Sequence, residues 1–290
     1  MKYHAAMKLV RTIADVRRAV SEARAGVRHD EDGRGAIDRA PVRVGFVPTM
    51  GALHDGHASL FTLARAQCDV VVASVFVNPT QFNDPSDLAA YPRPESRDAE
   101  IAAASGVDVL FVPSADEIYP SGGATTLVPT GAALGWEGDH RPGHFAGVAL
   151  GCVKLFNIVA ADVVYLGQKD AQQVAVLRQT MRDLDQDVEI AIAPTRRDPD
   201  GLAMSSRNVR LSAEERHRAL AISAALRAGL AAHRMRADVV AAARATLHGL
   251  DLDYVGIADF GEPTLVIAAR LGRTRLIDNV PLDHPSRAGL

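Results

Sequence analysis

VRVGFVPTMGALHDGH, residues 42–57, places a short β-rich run directly ahead of a polar, glycine-containing turn and the start of a helix. The run 42–47 is apolar and β-branched enough for a buried strand, and Pro48 ends it. Gly51 permits a tight turn. HASLFTLARAQ (57–67) has helical spacing, so a helix begins near Gly56 with His54 and His57 flanking its start. Strand, turn and helix in that order is the unit from which parallel sheets are wound.

Outward from this unit the pattern repeats. DVVVASVFV (69–77), VDVLFV (107–112), VVYLG (163–167) and VEIAIAP (188–194) read as further strands, nearly all apolar as parallel strands covered on both faces are. Residues 95–105, 144–160 and 171–184 read as helices. The second presents Phe145, Val148, Cys152, Phe156 and Val159 on one face; the third turns Val174, Leu177, Met181 and Leu184 inward. NPTQFNDPSD (78–87) and the Gly/Pro/Thr-rich stretch 113–143 read as irregular. Residues 8–28 suit an amphipathic helix and HDEDGRG (29–35) a polar break, within a leading 1–40 extension to which no function attaches. After Pro194 the texture changes to a polar loop, TRRDPDGLAMSSRN, then two Ala-rich helices within 212–248, the first with Ser212 and Glu215 as a capping box. Short strands at 253–260, 264–270 and 274–280 close the chain. The expected class is α/β: a doubly wound parallel sheet over 1–195 followed by a smaller α+β unit over 196–290.

A net charge of −3 over 290 residues supplies no general basic field, so neither nucleic acid nor an anionic membrane is an expected partner. No run approaches the ~18 apolar residues of a membrane helix, and charges interrupt the N-terminal pattern, so a cytoplasmic protein is expected. Cys68 and Cys152, each in an apolar stretch, are too few for a disulfide framework or a Cys-rich metal site. Only four residues are lysine (2, 8, 154 and 169), in a chain whose other basic side chains are arginine. A lysine here is a candidate for work that needs a compact ammonium.

Polar sequence follows four of the strands: PTMGALHDGH (48–57), NPTQF (78–82), GQKD (167–170) and TRRDPDGLAMSSRN (195–208). Ligands bind at the carboxyl edge of open parallel sheets, so these four segments converge on one rim. The helix start after His54, with two imidazoles three residues apart, suits an anion such as phosphate. The bland alternative is a surface turn with two incidental histidines; zinc fits less well, because third and fourth ligands are missing nearby. Lys169 beside that cradle is a point charge for phosphate. Ser205, Ser206 and Arg207 can close over a triphosphate, and Gln81 and Gln173 suit hydroxyl or carboxylate recognition. Asp98 and Asp170 are candidate Mg²⁺-side groups, with surface exposure the ordinary fate of Asp98. His140, Arg141 and His144 open a buried helix and receive no role.

The ordered set PTMGALHDGH, SVFVNPTQF, YPR, RPGHFAGV, KLFNIV, GQKD with AQQ, and DGLAMSSRN resembles the pantothenate synthetase family of the HxGH nucleotidyltransferase superfamily. The likeness runs from about residue 42 to 212, and LGRTRLIDNV (271–280) resembles the family's C-terminal end. It implies a Rossmann-like N-terminal domain with a smaller lid, usually as a homodimer. The implied reaction condenses pantoate with β-alanine, using ATP and Mg²⁺, through a pantoyl-adenylate. By position, Met50, Gly51, Ala52, Leu53, His54, Asp55, Gly56 and His57 resemble the first ATP loop, and His57 matches the histidine usually assigned as proton donor. Gly167, Gln168, Lys169 and Asp170 resemble a second ATP segment. Arg196 with Met204, Ser205, Ser206 and Arg207 resembles the mobile ATP loop. Gln81 resembles the glutamine shared by pantoate and β-alanine, and Gln173 a second pantoate contact; His54, His57, Lys169 and Arg207 become the catalytic set. The chain departs from the family at Gln168, usually glutamate, which removes a negative charge, at Arg196, usually aliphatic, and at Pro199. Two readings stay open beside this one: a cytidylyl- or adenylyltransferase of the same superfamily, and a nucleotide-binding regulator without turnover.

Overall fold

The structure, a computed structural model, describes residues 6–28, 41–120 and 123–283. The polar break expected at 29–35 lies outside them. Nine strands are present among the described residues: β1 (Lys8–Val10), β2 (Val44–Thr49), β3 (Val70–Val75), β4 (Val109–Phe111), β5 (Val163–Gly167), β6 (Glu189–Ala193), β7 (Asp251–Asp259), β8 (Pro263–Leu271) and β9 (Thr274–Pro281). The helices are α1 (Ile13–Arg28), α2 (Asp55–Gln67), α3 (Pro85–Ala89), α4 (Glu95–Ala104), α5 (Ala115–Ile118), α6 (Glu137–His140), α7 (His144–Val159), α8 (Ala171–Asp183), α9 (Ala213–Arg234) and α10 (Val239–Arg244).

Strands β1 to β6 form one parallel sheet in the order β1-β4-β3-β2-β5-β6. The chain winds outward from β2 through β3 to β4, then returns to start again at β5. The order therefore reverses between β2 and β5, and a doubly wound sheet binds its ligand at such a switch point. Alternate strand residues feed two cores, as the period of two requires. Phe46, Val72 and Val164 pack with Val16 of α1, Phe156 of α7 and Leu177 of α8. Val47, Val71 and Tyr165 pack with Phe61 of α2 and Ala102 of α4 on the other face. The Rossmann-like expectation holds.

Three local expectations do not. Residues 8–28 are not all helix: Lys8–Val10 pairs with β4 as an edge strand, and α1 begins after Thr12, whose hydroxyl accepts the Asp15 N–H at 3.1 Å. Part of the leading segment thus belongs to the sheet and its core. Leu184 does not face inward; α8 stops at Asp183, and Leu184, its C-cap, is 41% exposed. The stretch 78–87 is not wholly loop, since Asn78 caps a 3₁₀ turn over Pro79–Gln81 and Asp84 caps α3.

The remaining strands make an antiparallel sheet, β7-β8-β9, covered by α9 and α10. The Ser212–Glu215 capping box starts α9 as expected. Its core, with Ile222, Leu226, Leu265 and Ile267, draws only on residues from Leu202 onward.

Candidate active site

One cavity of about 240 Å³ opens at the carboxyl ends of β2 and β5. Its first wall is the β2–α2 loop. Thr49 Oγ1 donates to Ser74 O at 2.6 Å and accepts from Gly51 N at 3.1 Å. Gly51 and Ala52 both have left-handed φ, +80° and +50°. A Cβ on Gly51 would lie 2.8 Å from Asp98 Oδ2, so no larger residue fits. Asp98 holds this strained turn: its two oxygens accept Ala52 N at 2.9 Å and Leu53 N at 2.7 Å. Burial pushes its pKa up while those donors pull it down, and the balance stays above the ordinary value. Asp98 is fully buried and does not line the cavity. Both expectations for it are thereby corrected, because a carboxylate spent on two backbone donors is neither a surface group nor aimed at a metal.

The histidines cap α2. His54 Nδ1 accepts Gly56 N at 3.1 Å, and His57 Nδ1 accepts His54 N at 3.3 Å. An imidazole whose Nδ1 accepts carries its proton on Nε2, so each ring keeps one N–H to offer. The ring centroids stand 4.2 Å apart. Burial, then the His54 neighbour, pushes His57 down to about 3. Burial, then the Lys169 charge, lowers His54. Both imidazoles are neutral near pH 7, so in the unliganded fold each ring offers an Nε2–H as a hydrogen-bond donor and carries no extra proton.

The 3₁₀ turn Pro79–Gln81 forms the floor. Asn78 Nδ2 donates to Gln81 Oε1 at 3.1 Å and to Gly147 O at 3.0 Å. Gly147 and Gly151 of α7 let the turn sit this close; a Cβ at Gly147 would lie 2.2 Å from Thr80 O, and one at Gly151 2.5 Å from Asn78 Nδ2. Gln81 Nε2 reaches Met50 Sδ at 2.9 Å, and Gln173 enters from the first turn of α8.

The far wall carries the charge. Lys169 sits on the 3₁₀ turn Gln168–Asp170 after β5, its Nζ 3.4 Å from Asp170 Oδ1. Burial works to raise Asp170, but Lys169, Arg207 and Arg141 outweigh it and hold it below the usual carboxylate range. Arg196, Met204, Ser205, Ser206 and Arg207 close the opposite side. Ser206 Oγ donates to Ala52 O at 3.2 Å, and Arg207 donates to Asp87 at 3.0 Å.

Gly56 and Gly167 also line the cavity, whereas Gly51, Ala52, Leu53, Asp55 and Gln168 do not. Gly51 to Leu53 shape the turn beneath it, and Leu53 is buried in the core. Gln168 faces away into a buried amide pair, its Nε2 3.1 Å from Asn279 Oδ1. Its missing charge is therefore not taken from the cavity. Residues without an assigned role also line it, among them Asn78, Tyr91, Arg141 and His144. His144 Nδ1 donates to Gln81 O at 2.9 Å while its Nε2 accepts from Arg141 at 2.9 Å. Burial and the Arg141 charge push His144 down to about 4; burial brings Arg141 down to about 10, still cationic at pH 7. His140 instead faces Asp253 at 3.9 Å. The Asn-Pro turn signal was present for Asn78 and the RPGHF cluster for Arg141 and His144; Tyr91 carried none beyond its place in YPR.

Comparisons with known proteins agree with one another. A family model described as pantoate-beta-alanine ligase matches residues 8–281. Pantothenate synthetase 1 of Bradyrhizobium diazoefficiens is 46% identical, covering 95% of this chain and 98% of its own. A pantothenate synthetase crystal structure from Thermus thermophilus superposes with a TM-score of 0.85 at 38% identity, over 95% of this chain and 99% of that one. A pantoate-beta-alanine ligase from Francisella tularensis, solved with beta-gamma ATP and beta-alanine, gives a TM-score of 0.75 at 35% identity, over 96% of this chain and 98% of that one.

Proposed function

Because the chain belongs to the pantoate–β-alanine ligase family, we propose that the cavity above carries both half-reactions of that ligation, with the division of labour that follows. The chain is an ATP-dependent ligase that joins pantoate to β-alanine and forms pantothenate. The observation that carries the residue-level reading is one cavity lined at once by the histidine pair, Lys169, Arg207 and both glutamines.

The first half-reaction brings an anionic carboxylate to the α-phosphorus of a polyanion. Positioning and charge cancellation are the main needs of such a transfer. Lys169 and Arg207 supply the positive charge, and the neutral imidazoles of His54 and His57 donate Nε2–H to phosphate oxygens. Gln81 and Gln173 hold pantoate opposite. The carboxylate oxygen bonds to the α-phosphorus, pyrophosphate leaves, and a pantoyl-adenylate remains. In the second half-reaction the β-alanine amine attacks the acyl carbon, and AMP departs with the bonding pair. That anhydride needs no side-chain nucleophile. Cys152 lines the cavity, but burial pushes its thiol up to about 12, far from a thiolate.

Mg²⁺ fits as a companion of the triphosphate. Asp170 supplies a carboxylate to the cavity, and no cluster of three or more metal-ligating residues exists among the described residues. A magnesium ion held largely by phosphate oxygens matches that single donor, and it would neutralise phosphate charge. Beyond the site, we propose a division near residue 195, with the later unit acting as a lid over a Rossmann-like ATP- and pantoate-binding domain. The separate cores support it. A homodimer working in the cytoplasm rests on family membership.

The test is to incubate the protein with ATP, Mg²⁺, pantoate and β-alanine. AMP and pantothenate should appear in equal amounts, and omitting pantoate should abolish AMP. A larger nucleotide product, or AMP that does not depend on pantoate, would refute the assignment.

A further inference from the structure

Lys169 is carried on a three-residue turn, and a turn that short does not fix its own orientation. Gln168 and Lys169 each leave a carbonyl for an outside donor, and both accept the same side-chain amide: Asn279 Nδ2 reaches Gln168 O at 3.0 Å and Lys169 O at 2.8 Å. The other end of that amide, Oδ1, accepts Gln168 Nε2 at 3.1 Å. Asn279 therefore grips the turn with three hydrogen bonds from β9, a strand of the other sheet. Both partners are buried, Asn279 3% and Gln168 6% exposed, so water does not compete for these groups.

Asn279 is itself held. Its backbone N–H donates to Asp278 Oδ1 at 2.9 Å, and Asp278 takes Arg197 bidentately at 2.6 and 3.1 Å. Arg197 pairs with Ala203 in an isolated antiparallel bridge and donates to Gly201 O at 3.3 Å. The segment it anchors leads into Met204–Arg207. Neighbouring residues of one strand thus hold the ammonium turn and the root of the loop that faces it. The amide is also chemically suited: an aspartate at 279 would present oxygens to two carbonyls, and a leucine would remove the hydrogen bonds to both.

We infer that Asn279, outside the cavity, is the positioning residue for Lys169, setting where the ammonium stands through the two carbonyls of its turn. The inference rests on the reading of Lys169 as catalytic. Side chains that act through another group show it by non-additivity.

The test measures pantoate-dependent pyrophosphate release and melting temperature for wild type, Asn279→Ala, Lys169→Ala and the double variant. Asn279→Ala should lower kcat by about 10-fold, the scale of a sub-ångström to ångström misplacement, with KM for β-alanine unchanged. In the Lys169→Ala background the same change should cost less than about 2-fold, because the group it positions is gone. A folded Asn279→Ala enzyme at wild-type rate, or an equal loss in both backgrounds, overturns the inference. If Lys169→Ala alone retains wild-type rate, the catalytic reading of the lysine fails first, a separate and recognisable outcome. Should Asn279→Ala not fold, Gln168→Ala removes one of the three bonds; a loss of about 3-fold that vanishes beside Lys169→Ala supports the inference, and an additive or absent loss refutes it.

Discussion

The walls at 50–57 and 195–208 line one cavity and touch each other, yet different physics holds each. The first is fixed from within. A fully buried carboxylate, Asp98, ties down left-handed Ala52 and its neighbour Leu53, and a reciprocal pair of imidazoles caps the helix behind them. Hydrogen bonds to a buried charged group are worth about 1.5–3 kcal/mol each in context. The second wall hydrogen-bonds to the first through a hydroxyl, Ser206 to Ala52 O, and is tied to α3 by Arg207 and the nearby Arg210 clasping Asp87, side chains each about a quarter exposed. Pairs with that much water contact contribute about 0–1 kcal/mol. Its buried anchors lie ahead of Met204–Arg207: Thr195, the Arg197–Asp278 pair, Leu202 and Ala203. Under the proposed function, a turn held by buried bonds beside a wall held by half-exposed ones would let the site admit a triphosphate and then shield a hydrolysable intermediate.

The contrast can be broken most severely at Asp98. Asp98→Ala leaves Ala52 N and Leu53 N without their acceptor, and should cost about 2–4 kcal/mol in chemical denaturation and most of the activity. Wild-type stability would mean that the first wall does not depend on this carboxylate. Asp87→Asn should do something different: less than about 1 kcal/mol on stability, but a several-fold higher KM for ATP as Arg207 loses its rest position. A large drop in melting temperature there would erase the distinction between the walls.

Acid should separate them more gently. His57 is pushed down to about 3 in the fold, so below about pH 6.5 the unfolded chain binds a proton that the native chain does not. Its contribution is complete above the ordinary histidine pKa and is lost as pH falls toward the folded value. Asp87 is lowered from a carboxylate's ordinary value, since Arg210 and Arg207 outweigh its burial, so its contribution fades only in stronger acid. Melting temperature should therefore begin to fall below about pH 6.5, and His57→Gln, which keeps an acceptor for His54 N, should flatten that slope. An unchanged slope would mean that His57 titrates normally.

Much of this was legible in the chain. Strands buried on both faces leave continuous apolar runs, so β2, β3 and β5 stand out; β6, at the sheet edge and only half-buried, still carries an apolar run, and the polar segments after these four mark the rim. The Ser212–Glu215 cap and the inward face of α7 are local and period-bound, and they read correctly. What escaped depended on distance. β1 is three residues long, and only its pairing with β4 makes it a strand. Asp98 looks like any helix aspartate until the turn it holds folds onto it from 45 residues away. Gln168 looks like a lost charge until Asn279, 111 residues on, supplies its partner. The protonation of His57 follows from burial and a backbone donor, neither of which a motif encodes.

The central claim is that segments 50–57, 167–170 and 204–208 surround one triphosphate. Amide hydrogen exchange with and without a non-hydrolysable ATP analogue and Mg²⁺ tests it directly. Exchange should slow in all three segments together, most in 204–208, where the free protein is held least. Protection confined to one segment, or centred elsewhere, would contradict the account.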